Sequence, residues 1–228
     1  MDPCLRSAGR CAGQSMFRLS HLFRTPAPTP VAEAFRFLDP GPLVDGELEL
    51  VAPHEGLIDA MLASCAHPLT RQLEPEQAAI TRDGLRQFLA AAPAGHEWPA
   101  ATSGRVPSYH FWMRLDAAIN PPIPIAGDIT LRAGCNSDIE LYTGHIGYHV
   151  FPAVRGHHYA QRACQLLFPL ARRHGIAPLW ITTDPENLAS RRTCQRLGAI
   201  LVGIVDVPSD HVLYARGQKR KCRYRIDL

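Results

Sequence analysis

Residues 144–160 read GHIGYHVFPAVRGHHYA, from Gly144 to Ala160, and how they are read decides the fold. The first seven mix aromatic, β-branched and small side chains, the composition of a strand crossing a sheet. Pro152 ends that strand, because proline has no N–H to offer the ladder. Residues 154–160 form a turn with one cation and one glycine, and they open into a helix over 161–174. There Ala163, Leu166, Leu167, Leu170 and Ala171 recur at helical spacing, with Gly175 as the stop. Residues 178–183 (PLWITT) read as a short buried strand, and 187–197 as a second helix closed by Gly198. Strand, amide-rich turn and helix N-terminus in succession make an anion site. The unpaired amides of the first turn and the helix dipole point at whatever sits there.

That order, with Arg155-Gly156-x-x-Tyr159-Ala160 in the turn, Asn187-Leu188-Ala189-Ser190-Arg191 at the second helix start and Leu197-Gly198-Ala199 at its end, resembles the acyl-CoA-binding half of the GNAT superfamily of N-acetyltransferases. It is most similar to a bacterial branch of predicted acetyltransferases with a Gly-His-Ile-Gly-Tyr strand. The resemblance is specific over 123–205 and extends from 47 to the end. It implies an α/β (α+β) GNAT fold: a mixed, mostly antiparallel twisted sheet of about six to seven strands, splayed at the cofactor site and flanked by about four helices.

The resemblance also implies acetyl-CoA as cosubstrate. Backbone groups of His149, Val150 and Phe151 would pair with the pantetheine arm. The amides of Arg155, Gly156, His157, His158, Tyr159 and Ala160 would cradle the diphosphate, with Arg155 adding charge. His158 stands where the family carries a glycine, and its Cβ restricts how closely backbone and phosphate approach. Asn187 suits a helix cap and, by resemblance, contacts the cofactor arm, with Ser190 facing the same way. Cys194 stands where many members place a tyrosine that protonates the leaving thiolate.

Acetyl transfer needs a neutral amine, hence a base. His145 matches the position of the family's strand glutamate and titrates in the right range; Glu140 and Tyr148 are rivals, and a hydrogen-bonded strand residue is the plain alternative for His145. The function implied is transfer of acetyl to a primary amine of a small molecule or peptide by direct attack. The alternative is a degenerate module that binds acyl-CoA without turnover.

Composition narrows the rest. The 228 residues carry a net charge of +3, much of it in 216–225 (RGQKRKCRYR), read as a solvated turn between strands rather than a nucleic-acid site. Seven cysteines without a C-x-x-C argue against a disulfide framework or zinc site and for a reducing, cytoplasmic setting. No apolar run approaches the ~18 residues of a membrane span, and eleven histidines show no metal-ligand spacing. A homodimer fits proteins of this kind.

Residues 1–42 read as a leader outside the domain: a disordered segment, an early start codon before Met16, or an arginine-bearing, acid-poor transit peptide. The domain is expected over 43–228. Within it, 47–52 read as a strand, 56–66 as a helix, 74–89 as a helix opened by Pro75, and 92–107 as a long loop. Residues 108–115 and 123–131 read as paired strands, 132–143 as a polar connection, and 223–228 as the last strand.

Overall fold

The chain enters its first sheet as a hairpin in the computed structural model, which describes residues 35–228. β1 (Val44–Asp45) pairs with β2 (Leu48–Val51), where buried Leu48 and Leu50 alternate with Glu49 and Val51. Four short helices follow: α1 (Ile58–Cys65), α2 (Pro68–Leu73), α3 (Pro75–Ala78) and α4 (Arg82–Ala91). The single helix expected over 74–89 is therefore two. Thr81 turns extended, and its Oγ1 accepts the Gly84 N–H at 3.1 Å, which starts a new helix. Apolar spacing gives no sign of α2, which begins on Pro68 with His67 Nδ1 accepting the Leu69 N–H.

The long loop expected over 92–107 contains β3 (His96–Glu97), which pairs with β4 (Ser108–Leu115). β5 (Ile125–Arg132) and β6 (Ile146–Val150) complete the sheet, in the order β1-β2-β4-β5-β6 with β3 on β4. Its register sorts the side chains. Tyr109, Phe111, Ile129, Leu131, Ile146 and Tyr148 share one face, against which α5 (Tyr159–Arg173) packs. His110, Trp112, Asp128, Thr130, Arg132, Gly147 and His149 share the other. α1 and α4 cover part of that second face.

The second sheet holds β7 (Leu179–Thr183), β8 (Ile200–Asp206) and β9 (Arg220–Ile226), with α6 (Leu188–Arg196) before β8 and α7 (Val212–Ala215) before β9. β9 lies in the middle, in the order β7-β9-β8, and every described ladder in both sheets is antiparallel. The basic stretch 216–225 is thus mostly a central strand rather than a solvated turn. Four of its six cations are paired: Lys221 with Asp184 at 2.8 Å, Arg220 with Glu186, Arg223 with Glu140, and Arg225 with Asp227.

Residues 36–228 form one compact unit. Residues 36–42 belong to it: the Leu38 N–H donates to the Tyr109 hydroxyl, and Phe37 stacks on His96. Positions 1–34 of the expected leader lie outside the described residues.

The two sheets meet at one point. The His145 N–H donates to the Trp180 carbonyl at 2.7 Å, and the Trp180 N–H returns to His145 Nδ1 at 2.9 Å. Beyond it β6 pairs with β5 and β7 with β9, so the arms part into a fork. Gly144 makes the junction fit. Its φ of +70° and ψ of 164° suit glycine alone, and a Cβ would lie 3.0 Å from Thr182 N and 3.1 Å from Trp180 O. Gly144→Val is expected to cost about 2–4 kcal/mol of stability, read as a lower urea midpoint with the slope unchanged.

Candidate active site

Between the arms of the fork runs a cleft of about 560 Å³. Tyr148, His149 and Val150 line it from β6, and Asn187 and Ser190 from the start of α6. At the outer end the turn into α5 contributes Arg155, Gly156, His158, Tyr159 and Ala160. The first-turn amides of α5 have no intrahelical partners, as at any helix start. Gly156 has a φ of +94° and nothing within 4 Å of a hypothetical Cβ, so the backbone there stays open. His158, at the expected glycine position, adopts the same left-handed region with a φ of +61°. The path of the turn is therefore kept, and the ring lines the cleft with its Nδ1 3.2 Å from Arg196 Nη1.

Arg192 and Arg196 also line the cleft from α6 and bring two cations to the end where Arg155 sits. Their spacing of four along a helix that starts at Asn187 was the available signal. Two residues expected at the cofactor are not among those lining the cleft. His157 stacks against Tyr159, and Phe151 is buried with its N–H donating to the Ala126 carbonyl. Arg155 Nε donates to the Val150 carbonyl at 2.9 Å, while its Nη2 pairs with Glu74. Asn187 Oδ1 caps α6 by accepting the Ser190 N–H at 3.0 Å.

Tyr148 and Ser190 tie the arms at mid-length, hydroxyl to hydroxyl at 2.9 Å. Burial, reinforced by the nearby Cys164, raises the Tyr148 pKa, so the phenol keeps its proton. Cys194 is fully buried, and burial pushes its thiol up to about 12, far from a nucleophilic thiolate.

Glu140 lies in a π-helical turn (Ile139–Thr143) and is held by Arg223, away from the cleft. His145 is 1% exposed. Burial, then the charge of Arg132, pushes its pKa down to about 4, and the Nδ1 lone pair is already taken by the Trp180 N–H. The ring is neutral, with no lone pair left for an amine proton.

The other face of the first sheet carries two polar chains. In one, His110 Nε2 meets Glu97 Oε2 at 2.8 Å and Nδ1 meets Thr130 Oγ1 at 3.1 Å. Thr130 is the cross-strand partner of Gly147. In the other, His149 stands between Glu74, at 2.8 Å, and Asp128, at 3.6 Å. Burial lowers its pKa, but the two carboxylates outweigh that and leave it raised. Beside these chains is an apolar cavity of about 500 Å³ between the sheet and α1 and α4, walled by Ile80, Leu85 and Phe88. Among the described residues no cluster of His, Cys, Asp and Glu is placed to hold a metal, and no helix is long and apolar enough to cross a membrane.

The His145 junction sets a pH dependence. Its folded pKa lies below the 6.5 of a free imidazole, so the unfolded chain binds the extra proton, and stability falls as pH drops from 6.5 toward about 4. The loss is expected to reach up to about 3 kcal/mol. It appears as a falling urea midpoint between pH 7 and pH 4.5, and His145→Asn flattens that slope.

No curated protein matches the chain. The family model described as "Acetyltransferase (GNAT) domain" matches residues 47–200. Several solved structures share the fold at low identity. The microcin C7 self-immunity acetyltransferase MccE, solved with acetyl-CoA and AMP, has a TM-score of 0.57 at 14% identity, over 81% of this chain and 94% of that one. RimL, the ribosomal L7/L12 alpha-N-protein acetyltransferase, solved with coenzyme A, has a TM-score of 0.56 at 16% identity, over 81% and 96%. A GNAT-family acetyltransferase from Bacillus anthracis has a TM-score of 0.54 at 16% identity, over 82% and 98%. With its family match and its forked pair of sheets, the chain belongs to the GNAT acetyltransferases.

Proposed function

We propose that the chain is an acetyl-CoA-dependent N-acetyltransferase acting in the cytoplasm on a primary amine of a small molecule or peptide, by direct attack. The fork carries this reading: a cleft lined by β6 and the start of α6 and, at its outer end, a helix N-terminus beside Arg155, Arg192 and Arg196. An open glycine and three arginines fit a diphosphate in charge and in backbone access. Two relatives of the same fold were solved with acetyl-CoA or CoA. The described cysteines are all free, which suits a reducing compartment.

When bound, acetyl-CoA supplies an acyl group activated as a thioester. His149 and Val150 offer backbone along the arm, and the α5 turn with Arg155, Arg192 and Arg196 holds the phosphates. Thr130, His110 and Glu97 form the proton path on the acceptor face. Thr130 Oγ1 takes the amine proton as it passes its own to His110 Nδ1, and Glu97 steadies the resulting imidazolium. Tyr148 gives its phenolic proton to the departing sulfur and recovers one through Ser190. One C–N bond forms and one C–S bond breaks. Tyr148 thereby fills, from β6, the role that Cys194 cannot fill from α6. The buried, un-ionised Cys194 thiol supports transfer without an acyl-enzyme.

Arg196→Ala is expected to weaken acetyl-CoA binding about tenfold, or ~1.4 kcal/mol, in calorimetry, with a shallower salt dependence than the parent. Tyr148→Phe and His110→Gln should each lower kcat on the order of 10²-fold while leaving acetyl-CoA affinity in place. Tight acetyl-CoA binding with no turnover on any amine would make the chain a binding module instead.

A further inference from the structure

Arg132 ends β5 on the face that carries Thr130 and His110. Its guanidinium lies over Gly147, where a Cβ would meet Nη1 at 3.3 Å and Nη2 at 3.5 Å. That places the cation beside the bare position of β6, next to the proposed proton path. The side chain is largely enclosed and lines two cavities that also share Thr143 and Leu213, of about 300 and 640 Å³.

Its bonding is incomplete. Nη1 donates to the Gly144 carbonyl at 3.1 Å and to the Thr143 carbonyl at 3.3 Å. Among the described residues no carboxylate comes within ion-pair distance, and Nε and Nη2 donate to nothing. The nearby acids are engaged elsewhere: Glu97 with Arg105 and His110, Asp138 with His211 and Thr143, Asp184 with Lys221. Arg105 and Arg216 add positive charge to the wall of the larger cavity. A sequestered cation without a counter-charge is costly. A guanidinium with two adjacent donors free matches a carboxylate in shape as well as charge.

We propose that Arg132 recognises a carboxylate on the acceptor, so that the amine acetylated here belongs to a molecule carrying a carboxylate close to the reacting nitrogen. This rests on the acetyltransferase reading above. Two sources share that chemistry: the α-carboxylate of a free amino acid, and the side chain of an aspartate or glutamate at a peptide N-terminus.

The test measures thiol release from acetyl-CoA by the full chain. One arm offers each standard amino acid beside its carboxamide; the other offers peptides beginning with Asp or Glu beside those beginning with Asn or Gln. The carboxylate member of a pair should be favoured by about 10–100-fold in kcat/KM. The arm showing the preference identifies the source. Arg132→Gln should bring the ratio near unity with acetyl-CoA affinity unchanged, and Arg132→Lys should keep part of it. Should Arg132→Gln not fold, inhibition of the parent enzyme supplies the same answer: the N-acetylated acid of the favoured pair should compete with the amine, and its amide should not. Equal or better turnover of the uncharged members, or acceptance of uncharged amines alone, overturns the inference and leaves the acetyltransferase reading intact. Absence of acetyl-CoA binding removes that reading, and the inference with it.

Discussion

One backbone and one ring hold the two sheets of this protein in their working relation. His145 gives its N–H to Trp180 and takes Trp180's N–H on Nδ1, closing what would otherwise be two unpaired strand edges. The arrangement works only while the imidazole is neutral, because a protonated Nδ1 would set donor against donor. Burial enforces neutrality, and the nearby Arg132 charge adds to it. The cleft exists because this pairing goes no further: past His145 each arm turns to a different partner strand.

The register of the first sheet then divides the labour. Tyr109, Phe111, Ile129 and Leu131 face α5 and form core, while their neighbours in sequence present His110, Asp128, Thr130 and Arg132 to the opposite side. A slip of one residue would exchange the two sets. Buried polar groups are tolerated there because most are answered: His110 by Glu97 and Thr130, and His149 Nε2 by Glu74. Glu74 joins the two sides of the molecule, since the same carboxylate meets His149 and Arg155 of the α5 turn.

Much of this was legible in the chain, for local reasons. β4 falls on 108–115, the first of the two strands expected to pair, and Gly175 and Gly198 end their helices in left-handed conformations. The turn and helix start of the cleft are local features as well, so Arg155, Gly156, His158, Asn187 and Ser190 could be named together. Signals failed where the deciding partner is distant in sequence. The Ala and Leu spacing over 74–89 continues through Thr81, whose cap breaks the helix. Residues 216–225 look solvated by charge, yet Cys222, Tyr224 and Ile226 point inward and make β9 central. His145 was found by position, but its role follows from Trp180. Arg132 reads as the start of a polar connection, and only the folded chain reveals that the acids near it are already paired with other residues.

The fork is also graded from end to end. It is closed at His145, tied at mid-length by Tyr148 and Ser190, and bridged at the outer end by the exposed His158 and Arg196 side chains. The inner end near Gly147 is the stiff part, suited to holding reacting atoms in register. The outer end, where Gly156 and the start of α5 oppose Arg192 and Arg196, is bounded by exposed, cationic side chains. A ligand with a slender reactive tip and a bulky charged tail thus meets paired, part-buried walls at its tip and open, cationic ones at its tail.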